Sequence, residues 1–205
     1  MVTPDQALPG RTSRPFPVAE KHAVLGSLLE GPWPANSEII YLAAGCYWGV
    51  EEIYWQTPGV LNTSVGFMGG LTPHPTYEET CTGRTGHTET TLVVYDPLII
   101  STLEILRIFW ENHDPTQGFR QGNDIGTQYR SAIFWTTVEQ EKLATETARS
   151  YSQVLKERGY GEVTTEIAPA SDFTYYLAED SHQQYLYKNP HGYRCHANTG
   201  VALPV

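Results

Sequence analysis

Cysteine is scarce in this chain, which has three in 205 residues: Cys46, Cys81 and Cys195. An odd number without a Cys-x-x-Cys pair is untypical of a disulfide-stapled secreted domain or a structural zinc site. None of the seven histidines belongs to a His-x-x-x-His pair with a third ligand at the usual spacing. We therefore expect no bound metal and a reducing, cytoplasmic setting in which any disulfide is functional.

The chain also has few basic residues and no long apolar run. Lysine and arginine total 13 against 23 acidic residues, a net charge of −10, which excludes nucleic acid and anionic membrane as main partners. No apolar run approaches the roughly 20 residues of a membrane span, and no signal-peptide pattern opens the chain. A Gly-Lys-Ser/Thr phosphate loop is absent too. We expect a monomer with no cofactor.

The chain divides by composition at about residue 37. Six prolines interrupt residues 1–37, which we interpret as an arm lying on the surface of one domain, 38–205. Within the arm, residues 19–29 could form a short helix. From about residue 188 the sequence is rich in glycine and polar residues, which indicates a flexible tail.

Strands and helices alternate along residues 38–187. The predicted strands are 38–43, 60–66, 87–95, 131–135 and 162–168, and the predicted helices are one beginning at Tyr47 and others over 101–112, 137–158 and 175–187. Residues 113–129 form a long polar loop, a kind of segment that often carries function. The order predicts an α+β or α/β two-layer sandwich and leaves its topology open.

Cys46 falls where the first strand turns into the first helix. Unpaired backbone N–H groups at a helix N-terminus favour negative charge, so this placement is expected to lower the pKa of the thiol and favour the thiolate. The alternative is an inert, buried cysteine acting as a small apolar residue.

The motif around Cys46 and several further motifs occur along the chain in the same order as in one known protein family. The sequence around Cys46, Gly-Cys-Tyr-Trp-Gly-Val-Glu, is similar to the signature of the methionine sulfoxide reductase A family, the peptide-methionine (S)-S-oxide reductases. The collinear motifs of this resemblance, which spans about 39–199, are 66–70, 75–77, 86–89, 95–97, 109–115, 120–131 and 182–186. The resemblance implies a ferredoxin-like α+β sandwich with long loops, and an enzyme that reduces methionine-S-sulfoxide, free or in proteins.

The same resemblance implies a set of catalytic roles. Cys46 would attack the sulfoxide sulfur, and Glu89 would protonate the sulfoxide oxygen, which requires a carboxyl pKa raised by burial. Tyr77 and Tyr129 would donate hydrogen bonds to that oxygen, and Asp124 would position the substrate or the surrounding network. Taken singly, Glu89 could instead be a solvated strand residue, the tyrosines half-buried, and Asp124 a turn residue.

The resemblance also implies residues that enclose the substrate and a second cysteine that regenerates Cys46. Tyr47 and Trp48 would enclose the substrate methyl group, with Tyr47 standing where the family usually has phenylalanine. The Cys46 sulfenic acid would form a disulfide with Cys195, the single cysteine of the tail, and Cys81 is the other candidate. Thioredoxin is the expected reductant, with a small thiol and a glutaredoxin-like protein as the alternative.

The residues leave two other functions open. A thiol peroxidase would need an arginine close to Cys46, and none is adjacent in sequence. A redox-sensing or methionine-binding module would keep the fold without turnover.

Overall fold

A computed structural model of the protein describes residues 1–195 and 197–204. The strands of its large sheet are β1 (Glu38–Ala43), β2 (Val60–Met68), β3 (Thr88–Tyr95), β6 (Ala132–Trp135), β7 (Glu166–Pro169) and β8 (Tyr176–Leu177), and a small second sheet pairs β4 (Arg120–Gln121) with β5 (Asp124–Ile125). The six-stranded sheet has the order β7-β6-β1-β3-β2-β8 and is antiparallel except for the parallel pair of β6 and β7.

The described residues form the helices α1 (Tyr47–Trp55), α2 (Tyr77–Cys81), α3 (Thr102–Glu111), α4 (Val138–Glu157) and α5 (Tyr185–Lys188). Of these, α1, α3 and α4 cover one face of the large sheet. Ile40 and Leu42 of β1 and Val93 of β3 pack with Tyr54 of α1 and Trp110 of α3 in the main core, to which α4 also contributes. This core fixes α1 against the sheet. The expected two-layer α+β sandwich is confirmed.

The opposite face of the sheet is also covered. Tyr41, alternating with Ile40 and Leu42, packs with Phe173 and Tyr175 from the segment after β7. All eight residues of β3 are consequently buried, including Glu89. The interpretation of Glu89 as a solvated strand residue is therefore wrong, because its strand has no solvent-exposed face.

Most predicted elements lie where the sequence places them, with ends that differ by up to four residues; β2, for example, extends to Met68, two residues beyond the predicted strand. Thr137 caps α4 by accepting a hydrogen bond from the backbone N–H of Gln140. The strand expected over 162–168 is confined to Glu166–Pro169, the length that pairs with β6. The polar loop 113–129 holds the small sheet and a 3₁₀ turn at Thr127–Tyr129.

The interpretation of residues 19–29 as a short helix is wrong. The chain makes a tight hairpin there, with the backbone N–H of His22 donating to Ser27 O and that of Leu29 to Glu20 O. The imidazole Nδ1 of His22 accepts two further backbone N–H groups, from Val24 and Leu25. These local bonds satisfy the backbone without a helix.

The helix predicted over 175–187 is also wrong for most of its length. Residues 176–177 pair with β2, and the side chain of Gln183 bonds both the N–H and the C=O of Val65 farther along that strand. Gln184 is in the left-handed region at φ 48°, which delays the helix to Tyr185–Lys188. Hydrogen bonds from this segment to β2 therefore determine its conformation, although its apolar residues recur at helical spacing.

Candidate active site

The turn before α1 places Cys46 at the helix N-terminus, as the sequence predicts. Cys46 is the N-cap residue of α1 and is 7 % exposed. Gly45 has φ +89°, and a Cβ there would lie 2.6 Å from Cγ of Gln121. Gln121 is held in turn by two hydrogen bonds to the backbone of Asp114, so glycine is required for this close approach.

The thiol of Cys46 is not in the expected ionisation state. Burial raises its pKa well above the usual value, and the neighbouring Glu89 carboxyl raises it further, while the backbone N–H of Trp48 lowers it. The contribution of the helix N-terminus is present but is outweighed by desolvation. The expectation of a lowered pKa is therefore wrong, and the resting side chain is a neutral thiol.

Glu89 of β3 lies at the same helix N-terminus. Its Oε2 accepts a hydrogen bond from the backbone N–H of Tyr47 at 3.0 Å, and the residue is 2 % exposed. Burial, and to a smaller extent the charge of Asp124, raise its pKa to about 8 against the lowering effect of that N–H bond. A carboxyl group in this state is mostly protonated at pH 7 and can give up a proton.

Two tyrosines from separate elements lie close enough to Glu89 to be affected by its charge. Tyr77 is the first residue of α2 and Tyr129 ends the 3₁₀ turn. Burial raises the pKa of both phenols, and Glu89 is the next largest cause for each. Both hydroxyl groups therefore keep their protons and are available as hydrogen-bond donors near Glu89.

Aromatic rings wall the space beside these groups. Trp48 stacks on Tyr185 with ring centroids 3.9 Å apart, and its Nε1 donates to Nδ1 of His182 at 3.1 Å. The His182 ring lies 4.2 Å from that of Tyr77. The wall is thus built from α1, α2 and the segment that leads into α5.

Tyr47 lies beneath this wall and is 1 % exposed. Its ring packs with Phe67 at 5.9 Å and with His182 at 5.8 Å. Its hydroxyl oxygen is buried and has no hydrogen-bond partner anywhere in residues 1–195 and 197–204. The phenol that replaces the phenylalanine usual in the family therefore adds an uncompensated polar atom to an apolar floor.

Asp124 connects the site to the tail. Both its carboxylate oxygens accept the hydroxyl hydrogen of Tyr193 at 3.2 Å, and burial raises its pKa. Its charge raises the pKa of Glu89, Cys46 and Tyr129, which places all of them in one cluster.

Cys195 reaches the other side of the Cys46 turn. Both cysteines line a cavity of about 230 Å³, together with Gln121, Arg194 and Glu52. The Cys195 thiol donates a weak hydrogen bond to Gln121 O at 3.5 Å, and it is free, as is the Cys46 thiol. The tail thiol that the resemblance implies therefore lies near Cys46 while both thiols are free.

Cys81 is the last residue of α2. The residue is exposed as a whole, but its thiol is partly buried, which raises its pKa, while a hydrogen bond with the Tyr77 side chain lowers it. Within the described part of the chain no group of three histidine, cysteine or carboxylate side chains is placed to hold a metal ion. Among the same residues, no helix is long and apolar enough to cross a bilayer.

The sequence reasoning missed the groups that hold the tail and the nucleophile turn. The sequence indicates Gln121 only as part of a polar loop, and it assigns no role to Arg194 or Glu52. The sequence nevertheless holds a signal for each of them. Gly45, directly before Cys46, is a residue type that allows another side chain to approach closely, and Glu52 and Arg194 carry opposite charges.

A buried thiol, a protonated carboxyl group and a second thiol within one sandwich fold define a thiol-dependent oxidoreductase. Comparison with known proteins gives the particular kind. Residues 38–203 match the family described as peptide methionine sulfoxide reductase, and the chain belongs to that family.

Relatives and solved structures agree with this assignment. The chain is 55 % identical over 205 residues to peptide methionine sulfoxide reductase MsrA 1 of Caulobacter vibrioides, covering 100 % of this chain and 93 % of that one. It is 58 % identical over 203 residues to MsrA of Rhodospirillum centenum, covering 99 % and 91 %. The structure of methionine sulfoxide reductase A of Corynebacterium diphtheriae is 50 % identical, covers 100 % and 99 %, and superposes with a TM-score of 0.89.

The prediction of an enzyme that reduces methionine sulfoxide is thereby confirmed. The protein is a peptide-methionine sulfoxide reductase. The peroxidase alternative gains nothing from the site, because the arginine that lines the Cys46 cavity, Arg194, is bound to Glu52 by two hydrogen bonds.

Proposed function

We propose that the enzyme reduces the S epimer of methionine sulfoxide, free or in proteins, through oxygen transfer to Cys46. The observation that carries this proposal is the meeting of two buried, neutral groups at one helix N-terminus. These are the Cys46 thiol and the Glu89 carboxyl group, which accepts the N–H of Tyr47 at 3.0 Å.

The chemistry follows from these two groups. Cys46 Sγ attacks the sulfoxide sulfur while Glu89 gives its proton to the sulfoxide oxygen, and the Cys46 proton passes back to Glu89. The attack forms an S–S bond between Cys46 and the substrate. This bond and the substrate S–O bond then break as the hydroxyl group passes to Cys46 Sγ, so the substrate is reduced to methionine and Cys46 is oxidised to a sulfenic acid. Tyr77 and Tyr129 donate hydrogen bonds to the oxygen as it gains charge.

Substrate binding uses the aromatic wall. Trp48 and the Tyr47 ring below it receive the methyl group, for which aromatic faces and a thioether are well suited. Asp124 positions the network around the cluster, through its charge and its bond to Tyr193.

Recycling uses the second thiol. Cys195 condenses with the Cys46 sulfenic acid to a disulfide and water, and an external dithiol reduces the disulfide by exchange. Thioredoxin is our candidate for this reductant, with a small thiol and a glutaredoxin-like protein as the alternative. We assign Cys81 no part in recycling.

The division of the chain at residue 37 also belongs to this proposal. We propose that 38–205, including the tail from about 188, is the catalytic domain and that 1–37 is an arm lying on its surface. Arg11 pairs with Glu79, and His22 bonds Thr63 at 2.8 Å, contacts that support this division. We place the enzyme in the cytoplasm as a monomer that needs no cofactor beyond the reductant.

The test is turnover of a peptide carrying one methionine sulfoxide epimer, with dithiothreitol as reductant. We expect the S epimer to be consumed, the R epimer to be left, and Cys46→Ser to be inactive. In a single turnover without reductant, wild type and Cys81→Ser should form the Cys46–Cys195 disulfide, whereas Cys195→Ser should stop at the sulfenic acid. Turnover by Cys46→Ser, or equal use of both epimers, contradicts the proposal.

A further inference from the structure

The segment that carries Cys195 is fixed at both ends by contacts remote from the thiol. Upstream it leaves α5, which packs against Trp48 through Tyr185. Downstream, the Tyr151 hydroxyl bonds Thr199 Oγ1 at 2.7 Å and Val201 O at 2.8 Å. Nearer the thiol, the Tyr193 hydroxyl bonds Asp124 at 3.2 Å and the Cys195 thiol weakly bonds Gln121 O at 3.5 Å. Neither of these contacts reaches α1, the helix that Cys46 caps, so fixing the thiol against that helix needs a further contact.

Arg194 supplies that contact from the residue next to Cys195. Its Nε donates to Oε2 of Glu52 at 2.7 Å and its Nη2 to Oε1 at 2.8 Å, a bidentate pair of short charged hydrogen bonds. The remaining nitrogen, Nη1, donates to Pro190 O at 2.9 Å, which also fixes the local path of the tail.

The partner carboxylate lies on the helix that carries the nucleophile. Glu52 is on the second turn of α1, whose N-cap is Cys46. The pair therefore joins the residue beside one thiol to the helix that begins at the other. Both side chains are partly exposed, at 29 % and 20 %, so the bidentate geometry rather than burial favours this contact.

We propose that the Arg194–Glu52 ion pair is a positioning pair that sets the rate of disulfide formation between Cys46 and Cys195. This inference rests on the proposed resolving role of Cys195. In the step concerned, the Cys195 sulfur attacks the sulfenic sulfur of Cys46, an S–S bond forms, the S–O bond breaks, and the hydroxyl leaves as water with the Cys195 proton. Because the ion pair holds the Cys195 thiol close to the Cys46 sulfenic acid, it raises the effective concentration of one group at the other and so the rate of their reaction.

The pair acts on this step and not on the first. Neither Arg194 nor Glu52 lines the aromatic wall, and neither bonds Glu89, Tyr77 or Tyr129. Loss of the pair should therefore leave methionine formation intact and slow only the closure of the disulfide.

The experiment is a single turnover of the full-length reduced enzyme with one equivalent of a methionine-S-sulfoxide peptide, without reductant. Samples are quenched with an alkylating reagent, and methionine and the Cys46–Cys195 disulfide are measured separately by mass spectrometry. Variants are Glu52→Gln, Arg194→Gln and the exchanged pair Glu52→Arg with Arg194→Glu. The matched control is Glu162→Gln, which removes a carboxylate from the exposed Lys156–Glu162 pair.

We expect methionine to form at the wild-type rate in every variant and disulfide formation to fall by about tenfold in each single variant of the pair. The exchanged pair should recover part of that loss. Sodium chloride at about 1 M should slow closure in wild type, because it screens the pair. Glu162→Gln should match wild type in both steps.

Two results overturn the inference and are distinct from each other. Wild-type closure in Glu52→Gln and Arg194→Gln, with no disulfide in Cys195→Ser, refutes the positioning role alone. A Cys46 disulfide that persists in Cys195→Ser refutes the resolving role of Cys195, and the positioning role with it.

Discussion

Replacing Glu89 by glutamine tests the proposed acid with little change of shape. The carboxyl group accepts the Tyr47 N–H at 3.0 Å, and the amide oxygen of glutamine can accept the same bond. What glutamine cannot do is release a proton near neutral pH. Any change in chemistry or in pH dependence therefore reports the titration of this one group.

The structure sets the size of the effect on stability. The pKa of Glu89 rises from 4.5 to about 8 on folding, chiefly through burial. A pKa that is higher by one in the folded than in the unfolded state corresponds to about 1.4 kcal/mol, so the whole rise contributes at most about 5 kcal/mol. Because the folded state holds the proton more tightly, this contribution is complete below pH 4.5 and is lost as the pH rises to about 8.

Two measurements follow. The free energy of unfolding of wild type, from urea titrations, should fall relative to that of Glu89→Gln between pH 5 and 8, by about 3–4 kcal/mol. Methionine formation in a single turnover should be slower in the variant by about 10²–10⁴-fold, the usual contribution of a general acid. In wild type its rate should also decline above about pH 8, where Glu89 loses its proton.

Parallel stability curves for wild type and Glu89→Gln would refute the raised pKa. Methionine formation at the wild-type rate across that range would refute the acid role even if the stability result held. Glu162→Gln is again the control, because it removes an exposed carboxylate and should change neither measurement.

Three further outcomes are expected. Tyr47→Phe should raise the free energy of unfolding by about 1–3 kcal/mol in urea titration, because it removes a buried hydroxyl that lacks a partner among the described residues; a loss of stability would contradict this. Burial lowers the pKa of His22 to about 4, so wild type should lose stability as the pH falls from 6.5 towards 4, since the unfolded state takes up the proton first. His22→Ala, which also loses the bond to Thr63, should start less stable by about 2 kcal/mol and show a shallower acid loss in thermal melts. Gly45→Ala should cost more than about 1 kcal/mol and slow methionine formation, because φ is +89° and its Cβ would meet Gln121; wild-type values of both would contradict the packing argument.

The core elements could be predicted because their signals are local. The strand 38–43 and the α4 cap at Thr137 follow from apolar runs and capping chemistry alone. The segment 175–187 could not, because its conformation is set by Gln183 bonding the backbone of β2. That partner is far away in sequence, and no periodicity reveals it.

The same distinction applies to the site. Residue types in family order were enough to bring Cys46, Glu89, Tyr77 and Tyr129 to one cluster. The ionisation state of Cys46 was not predictable, because the helix N-terminus and burial act in opposite directions and their balance depends on packing. The Arg194–Glu52 pair depends on a tail path that the sequence left open.

A neutral resting thiol is consistent with sulfoxide reduction. Transfer of oxygen from the substrate to a thiol creates and consumes no net proton. The mechanism we propose starts with one proton on Cys46 and one on Glu89, and burial favours both by disfavouring either anion. A peroxidase has the opposite requirement, a thiolate stabilised by a nearby cation. Arg194, which lines the Cys46 cavity, has its charge matched by Glu52 instead. Burial therefore disfavours the Cys46 thiolate that a peroxidase needs, and the mechanism we propose depends instead on a substrate oxygen that receives the Glu89 proton.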